Sequence, residues 1–244
     1  LRTAGGSYDA LITYKNNAPW RHGANAAVRL HWAMDIEQPW SAGLLARVQK
    51  LITLAPFHTS RMPWVPADKV WQIPLGMDLR DLDRAVAGVQ KENIAVYTTS
   101  PDRGLERLLL DWPTIAKIHP GLKLFITYDL QRLGANPLAQ WLVGMANQVG
   151  AQITGPLPKE KFHGLLARAK YYIHPLNNAN SDLFGYGAYR ALRAGAMPVL
   201  NYHTGTAFAD TIARHIPYRA FLSGNKALSP TEPTMDVVET KPPV

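Results

Sequence analysis

Apolar runs of strand length alternate along this chain with segments whose large apolar residues recur at helical spacing. That alternation leaves few folds open. A parallel strand buried on both faces is apolar along its length, and the chain must cross over the sheet, commonly as a helix, before the next parallel strand can form. An α/β protein assembled from βα units is therefore expected. In the first third, Tyr8–Tyr14 and Ala27–Trp32 read as strands. Residues 41–50 read as a helix with Leu44, Leu45 and Val48 on one face, and Leu51–Ala55 as a further strand. The run Val70–Gly76 closes the block, with Pro74 and Gly76 marking its exit. Residues 77–92 are charged, hold few large apolar groups and read as a connection.

The second block is more regular. Strands are expected at Ile94–Thr98, Leu122–Thr127, Gln152–Thr154, Tyr171–His174 and Pro198–Tyr202, with a weaker one at Arg219–Leu222. Between them Leu105, Leu108, Leu109, Trp112 and Ile115 fall on one helical face, as do Leu138, Trp141, Leu142 and Met145, and then Phe162, Leu165 and Leu166. A helix between each pair of main strands is the pattern of a doubly wound sheet. Residues 223–244 hold four prolines and little periodicity, and read as a tail.

Composition removes several function classes. The chain has no cysteine, which excludes disulfides and cysteine-ligated metal sites. No apolar run approaches the ~20 residues of a membrane-spanning helix, and no signal peptide is visible, so a cytoplasmic protein is expected. The net charge of +8 favours anionic partners: nucleotide phosphates or a peripheral contact with an anionic membrane surface. Nucleic acid is not expected, because neither RNA-binding aromatic signatures nor zinc-finger spacings occur. No G-x-G-x-x-G follows the strand at Ile94, and no G-x-x-x-x-G-K loop is present, which argues against dinucleotide and P-loop chemistry.

Two constellations remain. In Tyr97-Thr98-Thr99-Ser100-Pro101-Asp102-Arg103-Gly104-Leu105-Glu106, Ser100 and Pro101 form an N-cap and first-turn pair. This predicts a helix start at the carboxyl edge of the sheet, with backbone N–H groups and the Arg103 guanidinium suited to a diphosphate. The alternative is a solvent-facing arginine in a capped helix. In the second constellation, which runs from Asn180 through Asp182-Leu183-Phe184-Gly185-Tyr186-Gly187 and Arg190 to Gly195, two glycines open a helix whose amides suit a phosphate, and Asp182 suits sugar hydroxyls. The alternative is that Asp182 only caps and the glycines only pack. In the first block, His31 with Asp35 reads either as a packing residue or as a group facing an acceptor. Trp20, Trp32, Trp40 and Trp64 read as core or as a sugar-stacking surface.

The order of these motifs resembles that of the retaining GT-B glycosyltransferases, the large family that includes sucrose, glycogen and bacterial mannosyl transferases. Lys69-Val70-Trp71-Gln72-Ile73-Pro74-Leu75-Gly76-Met77-Asp78 matches the phrase that ends the family's first domain. Arg103-Gly104 then matches its basic–glycine loop, and Gly155 to Glu160 its glycine–acidic loop. His174-Pro175 with Asp182-Leu183-Phe184-Gly185 matches the acidic-x-Phe-Gly element. Ala194-Gly195-Ala196-Met197-Pro198-Val199, and then Gly205, match the last. The similarity spans roughly residues 50 to 215.

The resemblance implies two Rossmann-like lobes with parallel sheets, the N-terminal lobe truncated. Residues 1–78 would form the partial acceptor-side lobe, 79–92 a linker, 93–222 the nucleotide-sugar lobe and 223–244 a tail. It implies glycosyl transfer from a nucleoside-diphosphate sugar to a hydroxyl of a glycan, lipid or protein, with retention of configuration and with neither metal nor other cofactor. Arg103 and Asp182 would be the catalytic residues. Ser100, Gly155, Phe184, Gly185, Tyr186 and Arg190 would complete the donor site. The short first lobe also implies that the chain is a fragment of a longer protein or part of an oligomer.

The chain departs from the family at its paired glutamates. Asp182 stands at the first position and Arg190 at the second, where an acid would hold the ribose hydroxyls. A guanidinium cannot accept those hydrogen bonds. Helical periodicity instead places Arg190 about two turns along from Gly185, on the side of Asp182, where it would pair with Asp182 in the empty site or else contact a phosphate. A non-catalytic nucleotide-sugar-binding or partner subunit is the alternative this substitution implies.

Overall fold

The structure is a computed structural model that describes residues 7–134, 136–176, 183–201 and 215–225. Among them lie two parallel sheets. The first has four strands in the order β1 (Ser7–Tyr14), β2 (Asn25–Trp32), β3 (Lys50–Thr53) and β4 (Val70–Gln72). Short helices α1 (Ala18–Arg21), α2 (Ala42–Ala46) and α3 (Pro56–Ser60) make the connections. Each starts on a local signal. Ser41 caps α2 by accepting the Leu44 N–H at 3.2 Å, and proline stands in the first turn of α1 and of α3.

The second sheet contains β5 (Glu92–Tyr97), β6 (Lys123–Ile126), β7 (Gln152–Ile153), β8 (Ala169–His174), β9 (Met197–Leu200) and β10 (Ile216–Pro217). Their spatial order is β10-β9-β8-β5-β6-β7, every neighbouring pair parallel. Counted from β5 this is the doubly wound order 3-2-1-4-5-6, with its topological switch between β5 and β8.

Alternating side chains of β5 feed two cores. Ala95 and Tyr97 join the face covered by α5 (Leu105–Ile118), α6 (Pro137–Gln148) and α9 (Tyr218–Leu222). Ile94 and Val96 join the opposite face, covered by α4 (Arg80–Val86), α7 (Lys159–Arg168) and α8 (Tyr186–Arg193). The two-residue period of a strand with both faces covered is thus visible directly.

Three local readings of the sequence are corrected. The weak strand expected at Arg219–Leu222 is helical, because Tyr218 and Phe221, three apart, are both buried against the α5 side of the sheet. Strand β4 stops at Gln72, so Ile73, Pro74 and Gly76 lie beyond it. Helix α5 starts after Gly104, with Pro101–Arg103 forming a separate 3-10 turn.

The charged stretch before β5 contains α4, whose Leu82 is fully buried in the second lobe's core. Its acids face that lobe as well: Asp83 pairs with Arg193 at 2.8 Å, and Asp81 pairs with Lys159. Just before β5, Lys91 Nζ donates to the carbonyls of Ala167 at 2.7 Å and Ala194 at 2.6 Å, tying together the C-terminal ends of α7 and α8.

Candidate functional site

In an open α/β sheet the loops that leave β5 and β8 diverge to opposite faces and leave a crevice at the carboxyl edge. Both constellations of the sequence arrive there. The β5–α5 loop holds Ser100 and Arg103, and the β8–α8 loop ends in Phe184, Gly185 and Tyr186.

The two loops touch backbone to backbone. Gly104 has φ +99°, and a Cβ there would stand 2.0 Å from the Pro175 carbonyl oxygen. Only glycine permits both the left-handed conformation and this approach. A second close contact seats α8. A Cβ on Gly187 would lie 2.6 Å from the Tyr172 hydroxyl and 3.6 Å from Thr98 Oγ1. The first turn of α8 therefore rests on the ends of both switch strands.

Ser100 does not cap with its side chain. Its carbonyl instead accepts the Tyr97 hydroxyl at 2.7 Å and the Arg103 N–H at 3.0 Å, which folds the loop back on the strand. Tyr97 is fully buried, and burial pushes its phenol well above the usual tyrosine range. Tyr172 and Asp102 add to that shift, and the Arg103 charge opposes it. The Tyr97 hydroxyl is thus a protonated donor that fixes the Arg103 loop. Tyr172 and His174 complete the floor, with Tyr172 Oη 3.4 Å from His174 Nδ1. Tyr97 opens the first constellation of the sequence with no role of its own there, and Tyr172 was passed over, because a strand tyrosine reads as core; their hydroxyls were the available signal.

Phe184 is buried and Gly185, with φ +76°, is the N-cap of α8. Asp182 lies outside the described residues, so its expected approach to Arg190 does too. Arg190 instead lies over the Tyr186 ring at 4.4 Å, and its Nη2 donates to the Tyr186 hydroxyl at 3.2 Å. Its charge also reaches His163 on α7: burial lowers the His163 pKa, and Arg190 and Lys159 lower it further. Gly155, with φ +63°, follows β7, two strands from the switch, and a Cβ there would meet open space. Sheet order thus brings Arg103, Phe184 and Gly185 to the crevice and sets Gly155 about 10 Å to the side.

In the first lobe His31 is fully buried. Its Nδ1 lies 2.7 Å from Thr13 Oγ1 and its Nε2–H faces Glu37 Oε1 at 3.1 Å. It is a satisfied packing histidine, the first of the two readings of its sequence position. His58 accepts the Leu54 N–H on Nδ1 at 3.2 Å and donates from Nε2 to the Asp35 carbonyl at 3.0 Å. Among the described residues no group of three or more His, Asp or Glu side chains is placed to hold a metal ion. No described helix is long and apolar enough to cross a membrane.

The same architecture recurs among solved structures. HepE of Anabaena in complex with UDP-glucose superposes with a TM-score of 0.57 at 14% identity, over 80% of this chain and 60% of that one. Sucrose-phosphate synthase of Thermosynechococcus elongatus gives 0.62 at 14% identity, over 89% and 63%. The E. coli trehalose-6-phosphate synthase bound with UDP-2-fluoro glucose gives 0.65 at 10% identity, over 88% and 64%.

This chain has a GT-B fold. It spans about 60% of the length of those GT-B chains. No protein-family model matches it, and no curated protein does. The GT-B likeness is therefore one of architecture, carried by the sheet order and the switch.

Proposed function

We propose that the chain binds a nucleoside-diphosphate sugar at the β5/β8 switch and transfers the sugar to a hydroxyl of a glycan, lipid or protein, with retention and without a metal. The observation that carries this reading is that the segments leaving β5 and β8 approach each other twice at one edge of the sheet, Gly104 against Pro175 and Gly187 beside Thr98. The two halves supply a guanidinium and backbone amides, the groups that stabilise a departing diphosphate. In this reading Arg103 neutralises the leaving group and Asp182 orients the sugar. Gly155 borders the site, and Ser100 and Phe184 hold its walls. A uridine donor is the first to test, because the similar HepE structure holds UDP-glucose.

Calorimetric titration with UDP-glucose and GDP-mannose is the test. Arg103→Ala is expected to weaken binding about tenfold or more, since a charge-assisted hydrogen bond is worth roughly 1.5–3 kcal/mol. Asp182→Ala is expected to reduce discrimination between nucleotide sugar and bare nucleotide. Unchanged affinity in Arg103→Ala would remove the assignment.

One observation favours a second reading. Arg190, where an acid would hold the ribose, is engaged with Tyr186 and can only donate. A non-catalytic nucleotide-sugar-binding subunit follows from it. Binding without turnover over a panel of donors and acceptors would select that reading, and measurable transfer would exclude it.

A further inference from the structure

Helices α1 and α2 of the first lobe border an open hollow of about 480 Å³, lined by Trp20, Arg21, Trp40, Ser41 and Arg47 among others. None of these residues belongs to the switch loops. The aromatic side of the hollow is braced from beneath. Trp20 is fully buried and its indole N–H donates to Thr13 Oγ1 at 2.7 Å. Thr13 contacts His31, His31 is held by Glu37, and the Trp40 ring stands edge-on to the His31 ring at 4.7 Å. The half-buried Trp40 is therefore a fixed platform. Its indole nitrogen is buried and has no acceptor among the described residues.

The rim is cationic. Arg47 is anchored by one hydrogen bond, Nη1 to the Trp20 carbonyl at 3.2 Å. Arg21 stands in the last turn of α1. Among the described residues neither guanidinium pairs with a carboxylate. No acid is among the described residues that line the hollow. Two unneutralised guanidinium forks beside a braced indole match a ligand with an anionic group and an apolar ring face.

We propose that this hollow binds an anionic carbohydrate, a sugar bearing a phosphate or a carboxylate. The anion sits between Arg21 and Arg47 and the sugar ring lies against Trp40. The site is independent of the donor reading, because it shares no residue with the switch.

Isothermal calorimetry on the whole chain tests it, with glucose 1-phosphate, glucuronate, glucose and inorganic phosphate as probes. Saturable binding of glucose 1-phosphate or glucuronate is expected, with glucose at least tenfold weaker. The double variant Arg21→Met/Arg47→Met is expected to lose tenfold or more of that affinity with its urea unfolding midpoint retained. Trp40→Phe is expected to weaken the sugar anions and leave any inorganic phosphate binding alone. Arg103→Ala is expected to change none of these values, which separates this hollow from the donor site. Equal binding by the double variant, inorganic phosphate as tight as glucose 1-phosphate, or no saturable heat with wild type would each overturn the proposal.

Discussion

Strands β1 and β5 are both parallel strands of one chain, and both carry β-favoured side chains. In β5 the residues from Ile94 to Tyr97 are all buried. In β1, Ile12 and Tyr14 are each 56% exposed, and Tyr8 and Val28, the latter on the neighbouring strand, are exposed as well. The difference lies in what stands beside them. β5 sits between β6 and β8, under helices on both faces, while β1 has one described neighbour, β2. Burial belongs to the place a strand takes in the sheet, and only partly to its own apolarity. The lobes differ accordingly. The second has two continuous cores, one on each face, whereas the first has small clusters around Leu51 and Met62 and around Trp20 and Val48.

The strongest test of that contrast is Gly104→Ala. It adds a methyl against the Pro175 carbonyl at a left-handed position, and is expected to destabilise the second lobe by roughly 3 kcal/mol or more, read by urea unfolding. A loss near zero would mean that the two switch loops are not in contact. Leu108→Ala comes next. The side chain is fully buried in the core beneath α5, so about 2–5 kcal/mol is expected.

In the first lobe the largest effect should come from a polar network instead. Trp20→Phe keeps an aromatic ring, smaller than the indole, and removes the donor to Thr13; it is expected to cost about 1–3 kcal/mol or more. A cost below the error of the melt would show that apolar packing holds this lobe too.

A titratable effect follows from His58 and His163, whose pKa values burial lowers from the ordinary 6.5. For His58 the hydrogen bond to the Asp35 carbonyl and the charges of Asp35 and Glu37 partly offset burial. A histidine whose folded pKa is depressed stabilises the fold in its neutral form. That stability is complete above the unfolded pKa and is lost as pH falls through the folded one. Unfolding midpoints should therefore drop as pH falls below about 6.5, and His58→Phe should flatten the part of the drop due to the first lobe. The smallest effect is expected at the exposed edge: Ile12→Ala should stay within about 0.5 kcal/mol of wild type. A larger loss would show that β1 is covered in solution, by another copy or another chain.

Much of the second lobe is legible in the sequence. Leu105, Leu108, Leu109, Trp112 and Ile115 announce α5 by their spacing, and all five are buried. Arg103-Gly104 and Phe184-Gly185 announce the loops of the candidate site, because glycine beside a strand end has few other uses. The chain order of those motifs also anticipates the GT-B architecture. Local spacing is less informative near Tyr218, where a strand and a single helical turn present the same few apolar residues.

Periodicity, turn residues and motif order thus follow from the sequence alone, because each depends on neighbours within a few positions. The partners of those elements were decided by the tertiary structure. Thr13, His31 and Glu37 meet only after β1 and β2 pair in register. Gly104 is required to be glycine by a carbonyl 71 positions away, at Pro175. The physical reason is the same in each case: these contacts have lengths of a few ångströms, and only the order and register of strands, set by burial over the whole lobe, determine which distant residues come that close.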